Sequence, residues 1–209
     1  MAKAPGGGRR RPWRWLGFGA LVAVGALMIA IALTTAGDAR AGLQPAYAYP
    51  EVTAAPPLDL VDHRGRPFDL VSLRGAPVLV YFGYTHCPDV CPATIGTLNE
   101  VIAAYEPPVR ALFVTVDPER DTVEFMGSYI RYFSDDYTGL TGTPGAIRAA
   151  ADGYGVTYAR VDTGSAGGYA MAHTAEIYLI DAAGRLRAHY PFGVAAEDVV
   201  RDLTTLATE

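Results

Sequence analysis

The chain has 209 residues, half of them hydrophobic and 19% charged, with two cysteines, four histidines and a formal net charge of −5. That composition suits one folded core with an appendage and excludes collagen, coiled coil, polar disorder and a disulfide-rich miniprotein. Five of the 17 basic residues (Lys3, Arg9, Arg10, Arg11 and Arg14) stand ahead of every acidic one, leaving 12 basic residues against 22 acidic from Asp38 onward, so no nucleic-acid partner is expected.

Residues 1–14 read as a basic cytoplasmic segment. From Trp15 to Gly37 run 23 uncharged residues, enough at about 1.5 Å per residue to cross a hydrocarbon core of ~30 Å. Positive charge on one side and Trp13 and Trp15 at the boundary predict a transmembrane anchor over 15–37 with the amino terminus inside. Ala39-Arg40-Ala41 offers a small-x-small cleavage site, but a signal peptide's apolar stretch is shorter, and the arginine pair lacks the surroundings of a twin-arginine signal. Residues 38–57, rich in Ala and Pro, read as a tether, and 58–209 as the folded domain.

Within that domain LDLVDHRGRPFDL predicts a β-hairpin, with His63 a solvated residue near its turn. APVLVYFGY has the continuous apolar run of a strand buried on both faces, and THCPDVCP leads from it into a helix, TIGTLNEVIAAYE. RALFVTV repeats the strand signature, DPERDTVEFMGSYIRYF and GAIRAAADGYG read as helices, and AEIYLID with GRLRAHYPF as a hairpin around Ala182-Ala183-Gly184. A last amphipathic helix places Val199, Val200, Leu203 and Leu206 on one side. Hairpin, βα, βα, ββ, α is the order of an α/β, thioredoxin-like fold: a central mixed sheet flanked by helices.

Cys87 and Cys91 stand four residues apart at the expected start of a helix, where unsatisfied amides favour thiolate, and Pro88 suits a first helical position. One helical face would hold both sulfurs, open to a structural disulfide, a redox pair or a shared metal. Two thiolates select Cu(I) or Zn(II), and an imidazole would complete a three-coordinate copper site. The four histidines, His63, His86, His173 and His189, are all candidates: His86 adjoins Cys87 but turns onto the same ion with difficulty, and His173 sits at the sheet edge where the first βα loop emerges. Asp117, followed by Pro118 and Glu119, has the chemistry of a helix cap; Phe82, Tyr84 and Phe192 read as core or site-wall residues.

GAPVLVYFGYTHCPDVCP, VTVDPERDT, GLTGT and a His-Thr before YLID together resemble the Sco/SenC family of membrane-anchored copper proteins that serve cytochrome oxidase assembly, from about Leu58 to Glu209. The resemblance implies a thioredoxin-like fold with one copper held by Cys87, Cys91 and His173, delivered to the copper-binding subunit of cytochrome c oxidase. A copper donor or a thiol reductant protein would be a further partner. In an alternative reading Cys87 and Cys91 are a catalytic redox pair that keeps the oxidase's copper-ligand cysteines reduced. Many members carry an acidic residue where this chain has Ala172, so the orientation of His173 is expected to come from the backbone or from water. The short segment before the apolar run suits a bacterial plasma membrane, with the domain outside.

Overall fold

The computed structural model describes residue 43 and residues 47–106, 108–133, 136–164 and 168–209. The basic segment 1–14 and the anchor expected over 15–37 lie outside the described residues; among those described, no helix is long and apolar enough to cross a membrane.

Seven strands form a mixed sheet: β1 (Ala48–Ala54), β2 (Val61–Asp62), β3 (Val78–Gly83), β4 (Arg110–Thr115), β5 (Tyr137–Thr141), β8 (Ile177–Ile180) and β9 (Arg185–Tyr190), in the order β1-β9-β8-β3-β4-β5-β2. β3, β4 and β5 are parallel, and β1, β2, β8 and β9 join antiparallel. Every residue of β3 and β8 is buried, as their unbroken apolar runs require for strands covered on both faces. Between them run α1 (Val90–Ala104), α2 (Val123–Ile130), α3 (Pro144–Gly153) and α4 (Ala196–Leu206). Two further strands, β6 (Tyr158–Asp162) and β7 (Tyr169–His173), form a separate two-stranded sheet. This is the α/β, helix-flanked mixed sheet that the element order predicts.

Side chains alternate along β3. Phe82 meets Tyr154 at the end of α3 and Tyr178 on β8, whereas Tyr81 looks the other way, toward Phe113. From Phe113 a chain of rings continues through Tyr129 and Phe133 to Tyr137, whose hydroxyl donates to Asn99 on α1 at 2.9 Å. Gly139 lets α2 lie directly on β5: a Cβ there would come within 2.5 Å of Met126 and 2.7 Å of Ile130. α4 presents Val199 and Leu203, 0% and 1% exposed, as its amphipathic pattern requires.

Several details depart from the sequence reading, which has no strand at β5, β6 or β7. The stretch 38–57 is more than a tether, since Ala48–Ala54 is a strand paired with β9. Its sequence, AYPEVTA, is exposed over most of its length and held by main-chain bonds rather than by a buried face, so periodicity carries no signal. The predicted hairpin at 58–70 is present but short: the Phe68 N–H donates to the Leu60 carbonyl at 2.9 Å and the Asp62 N–H to the Arg66 carbonyl at 2.8 Å around an antiparallel bridge of Val61 and Pro67, while Val61–Asp62 pairs on its other side with β5. Asp62 also takes the amides of Arg64 and Arg66 on its carboxylate, both at 2.9 Å, which tightens the turn. His63 is half-buried rather than solvated: its N–H donates to the Gly139 carbonyl at 2.8 Å and its Nδ1 accepts from the Gly139 N–H at 3.2 Å. Phe192 is 53% exposed and walls nothing.

Candidate metal centre

β3 ends at Gly83, and Tyr84 to Asp89 form the connection into α1. The helix starts at Val90 with Asp89 as its N-cap residue, so Pro88 lies before the helix and Cys91, not Cys87, falls in the first turn. Asp89 makes no side-chain cap bond; the Cys91 N–H instead donates to Cys87 Sγ at 3.3 Å, and the Cys87 N–H to the Tyr84 carbonyl at 3.2 Å. A sulfur thus occupies the place of a capping oxygen and meets the amides that make this end of a helix electropositive.

The two thiols differ in kind. Cys91 is fully buried, and burial pushes its thiol up to about 12. Cys87 is half-buried; burial opposes its ionisation, but hydrogen bonds from the Asp89 and Cys91 amides outweigh it and hold the thiol below its usual range. Gly83 permits this placement: a Cβ there would stand 2.8 Å from Tyr81, 3.1 Å from Cys91 Sγ and 3.2 Å from Phe113.

His173 closes β7. Its Nδ1 lies 3.0 Å from the Thr174 carbonyl, an acceptor with no proton to give, so Nδ1 carries the hydrogen and the lone pair sits on Nε2. Nε2 faces Cys91 Sγ at 3.7 Å, and desolvation lowers the ring's pKa, keeping it neutral. The backbone therefore supplies the orientation that Ala172 cannot. Tyr84 and Tyr81 flank the ring edge-on, with centroids 5.8 and 6.3 Å away. One ligand atom each from Cys87, Cys91 and His173 lies within 4.8 Å of the others. Two sulfurs and an unprotonated imidazole nitrogen form a soft N/S donor set, which suits copper(I) or zinc and not a hard cation. The Tyr81 hydroxyl, buried beside Cys91 without a hydrogen bond of normal geometry, leaves a polar atom pointing at the same spot.

The other histidines lie elsewhere. His86 is stacked on Phe125, centroids 5.0 Å apart, with its Nδ1 3.0 Å from the Thr85 hydroxyl. His189 pairs with Glu176 at 3.2 Å, and His63 is docked on β5.

Two buried carboxylates hold the centre together: Asp121, which the sequence reading passed over, and Asp117, which it read as a cap. Asp121, fully buried, accepts from the Thr85 N–H at 3.0 Å, the Thr85 hydroxyl at 2.5 Å and the Thr115 hydroxyl at 2.6 Å, which pins the cysteine loop to the end of β4. Asp117 is not a helix cap: α2 begins at Val123 behind Thr122, whose hydroxyl accepts from the Phe125 N–H. The Asp117 carboxylate is buried and receives Arg120 and the Tyr169 hydroxyl. The one sequence signal for these contacts was the dense run of charges in DPERD, on a segment entering a buried sheet.

Residues 48–208 match the family model described as SCO1/SenC. A SCO2-like protein of Rickettsia prowazekii is 33% identical over 184 residues, 86% of this chain and 89% of its own length. The human protein described as SCO2 homolog, mitochondrial, is 39% identical over 145 residues, and this chain spans 54% of it. Among solved structures, Bradyrhizobium japonicum ScoI with copper bound is similar at 39% identity with a TM-score of 0.65, over 73% of this chain and 98% of that one. With a match across the whole described fold, the chain belongs to the SCO1/SenC family.

Proposed function

We propose that this protein binds copper through Cys87, Cys91 and His173 and delivers it, as cargo, to the copper-binding subunit of cytochrome c oxidase during its assembly. The observation that carries this reading is the convergence of two sulfurs and a neutral imidazole nitrogen within 4.8 Å of one another from segments 82 residues apart. The copper-bound ScoI structure of Bradyrhizobium japonicum supports the choice of metal. Cys91 is enclosed whereas Cys87 and His173 are half-buried, so an incoming ligand from the recipient reaches the metal from their side. Residues 15–37 anchor the protein in a bacterial plasma membrane with the domain on the outer side, a reading supported by the length of the uncharged run and the arginines ahead of it.

Copper stoichiometry, Cu(I) affinity and spectra of the full-length chain test the site. Cys87→Ser and Cys91→Ser are expected to abolish tight binding, and His173→Ala to leave a weaker two-sulfur site with an altered spectrum. Wild-type copper affinity in His173→Ala together with a loss in His86→Ala would reverse the assignment.

The unequal thiols favour one second reading, a thiol-disulfide reductase. Cys87 as thiolate attacks a partner's disulfide and forms a mixed disulfide; deprotonated Cys91 then attacks Cys87 Sγ, releasing the partner's dithiol and leaving a Cys87–Cys91 disulfide that a thiol reductant must restore. Trapping of a mixed disulfide by Cys91→Ser at an undiminished rate in His173→Ala would favour this reading, since dithiol exchange needs no imidazole.

A further inference from the structure

His173 is carried by an arm that lies outside the main sheet. β6 and β7 pair only with each other, from Tyr158 opposite His173 to Asp162 opposite Tyr169, and no ladder joins them to the seven-stranded sheet among the described residues. Where the imidazole stands relative to the cysteines therefore depends on the short link from Thr174 to β8 and on side chains that tie the rest of the arm to the domain.

The densest of these ties meets Tyr169. Arg120 Nη1 donates to the Tyr169 carbonyl at 3.0 Å, and the guanidinium lies 3.8 Å above the Tyr169 ring. Arg120 Nε donates to Asp117 Oδ2, and the Tyr169 hydroxyl donates to Asp117 Oδ1 at 2.8 Å, closing a ring of three residues. Arg160, paired with Glu119 at 3.6 Å, places a second guanidinium 3.7 Å from the Tyr169 ring. Arg120 is also 5.7 Å from the ring of Tyr84, which itself stands edge-on to His173. Because side chains alternate along a strand, Tyr169, Met171 and His173 share one face of β7, and a shift at Tyr169 is passed over about 13 Å to His173 by a paired strand.

We propose that Arg120 is a positioning residue: clamped to Asp117, it fixes Tyr169 and through it sets the His173 imidazole against Cys87 and Cys91. The inference rests on the copper reading above. Planarity and the fork of donors are what the clamp uses, so lysine cannot replace arginine here although it keeps the charge.

The test is a double-mutant cycle in the full-length chain, read by Cu(I) affinity in chelator competition and by histidine nitrogen coupling in the Cu(II)-loaded spectrum. Arg120→Lys is expected to weaken Cu(I) binding about tenfold, the usual scale for a residue that orients a ligand, and to reduce the nitrogen coupling. In a His173→Ala background the same substitution is expected to change affinity by less than about twofold, because its effect passes through the missing ring. Tyr169→Phe, which keeps the ring and removes one hydroxyl, is expected to show the same dependence on His173 with a smaller loss, and carries the test if Arg120→Lys does not fold. Equal losses with and without His173, or an unchanged nitrogen signal, would overturn the proposal. A His173→Ala chain that binds copper as tightly as wild type would remove the ligand assignment itself, and the positioning role with it.

Discussion

A missing side chain does as much at the centre as the sulfurs do. Gly83 ends β3 with Cys91 Sγ and the Tyr81 and Phe113 rings against its Cα, and a methyl group there has nowhere to go. Gly83→Ala is expected to destabilise the domain by about 1–3 kcal/mol, as overpacking does, and to displace Cys91. Denaturant unfolding reads the first effect and the copper-loaded spectrum the second; a variant as stable as wild type would show that the loop gives way freely. Asp121 acts at the same scale. Its three hydrogen bonds from Thr85 and Thr115 hold the cysteine loop, and a buried carboxylate so satisfied costs little to keep and much to unpartner.

Among the elements, the short β2 is secured by His63 and Gly139, which exchange bonds through backbone and ring. Burial, helped by Arg64 and Arg66 and opposed by Asp62 and the Gly139 backbone, lowers the ring's pKa below the ordinary 6.5. The folded state thus binds fewer protons than the unfolded one just below that pH, and stability falls as pH drops. The loss begins near 6.5 and levels off once pH is below the depressed folded value. His63→Gln is expected to flatten the stability profile over that interval, with two-dimensional NMR locating the His63 titration below its ordinary position. An unchanged profile would assign the pH dependence to other groups. The β6–β7 arm is the contrasting element, because it holds the ligand histidine yet relies on side-chain ties in place of a sheet ladder.

For the whole molecule, the boundary of the folded unit follows from β1. A compact unit extends from Leu43 to Glu209, and β1 covers the edge of β9 while Tyr47 meets Tyr190 at a tilt, with centroids 5.3 Å apart. A fragment starting at Leu58 is expected to be less stable than one starting at Leu43, and to associate through the uncovered β9 edge. Unfolding midpoints and light scattering compare the two; equal stability and a monomeric short fragment would make β1 dispensable. The membrane reading has its own check: protease added to intact spheroplasts is expected to digest the chain beyond Asp38 and spare residues 1–14. Protection of the domain would place it on the inner side.

What the sequence by itself determined follows from signals that are local. Continuous apolar runs marked β3, β4 and β8, the 3.6-residue pattern marked α4, and Ala182-Ala183-Gly184 marked the β8–β9 turn, where the structure adds the Asp181 carboxylate accepting from Ala183 and Arg185. Cys87 and Cys91 were visible as a pair for the same reason. His173 was singled out from the four histidines by resemblance, and distance in sequence explains why the residues alone left the choice open. Tertiary structure decided the rest. β1 and β5 are strands because neighbours offer them main-chain partners, and Val61–Asp62 pairs with β5 in addition to closing its own hairpin. Asp117 looked like a helix cap because Asp-Pro is one locally; in the fold its carboxylate meets Tyr169, 52 residues away, and a partner that distant leaves no trace in local pattern. The same holds for the tautomer of His173, which one carbonyl and the burial of the site decide together.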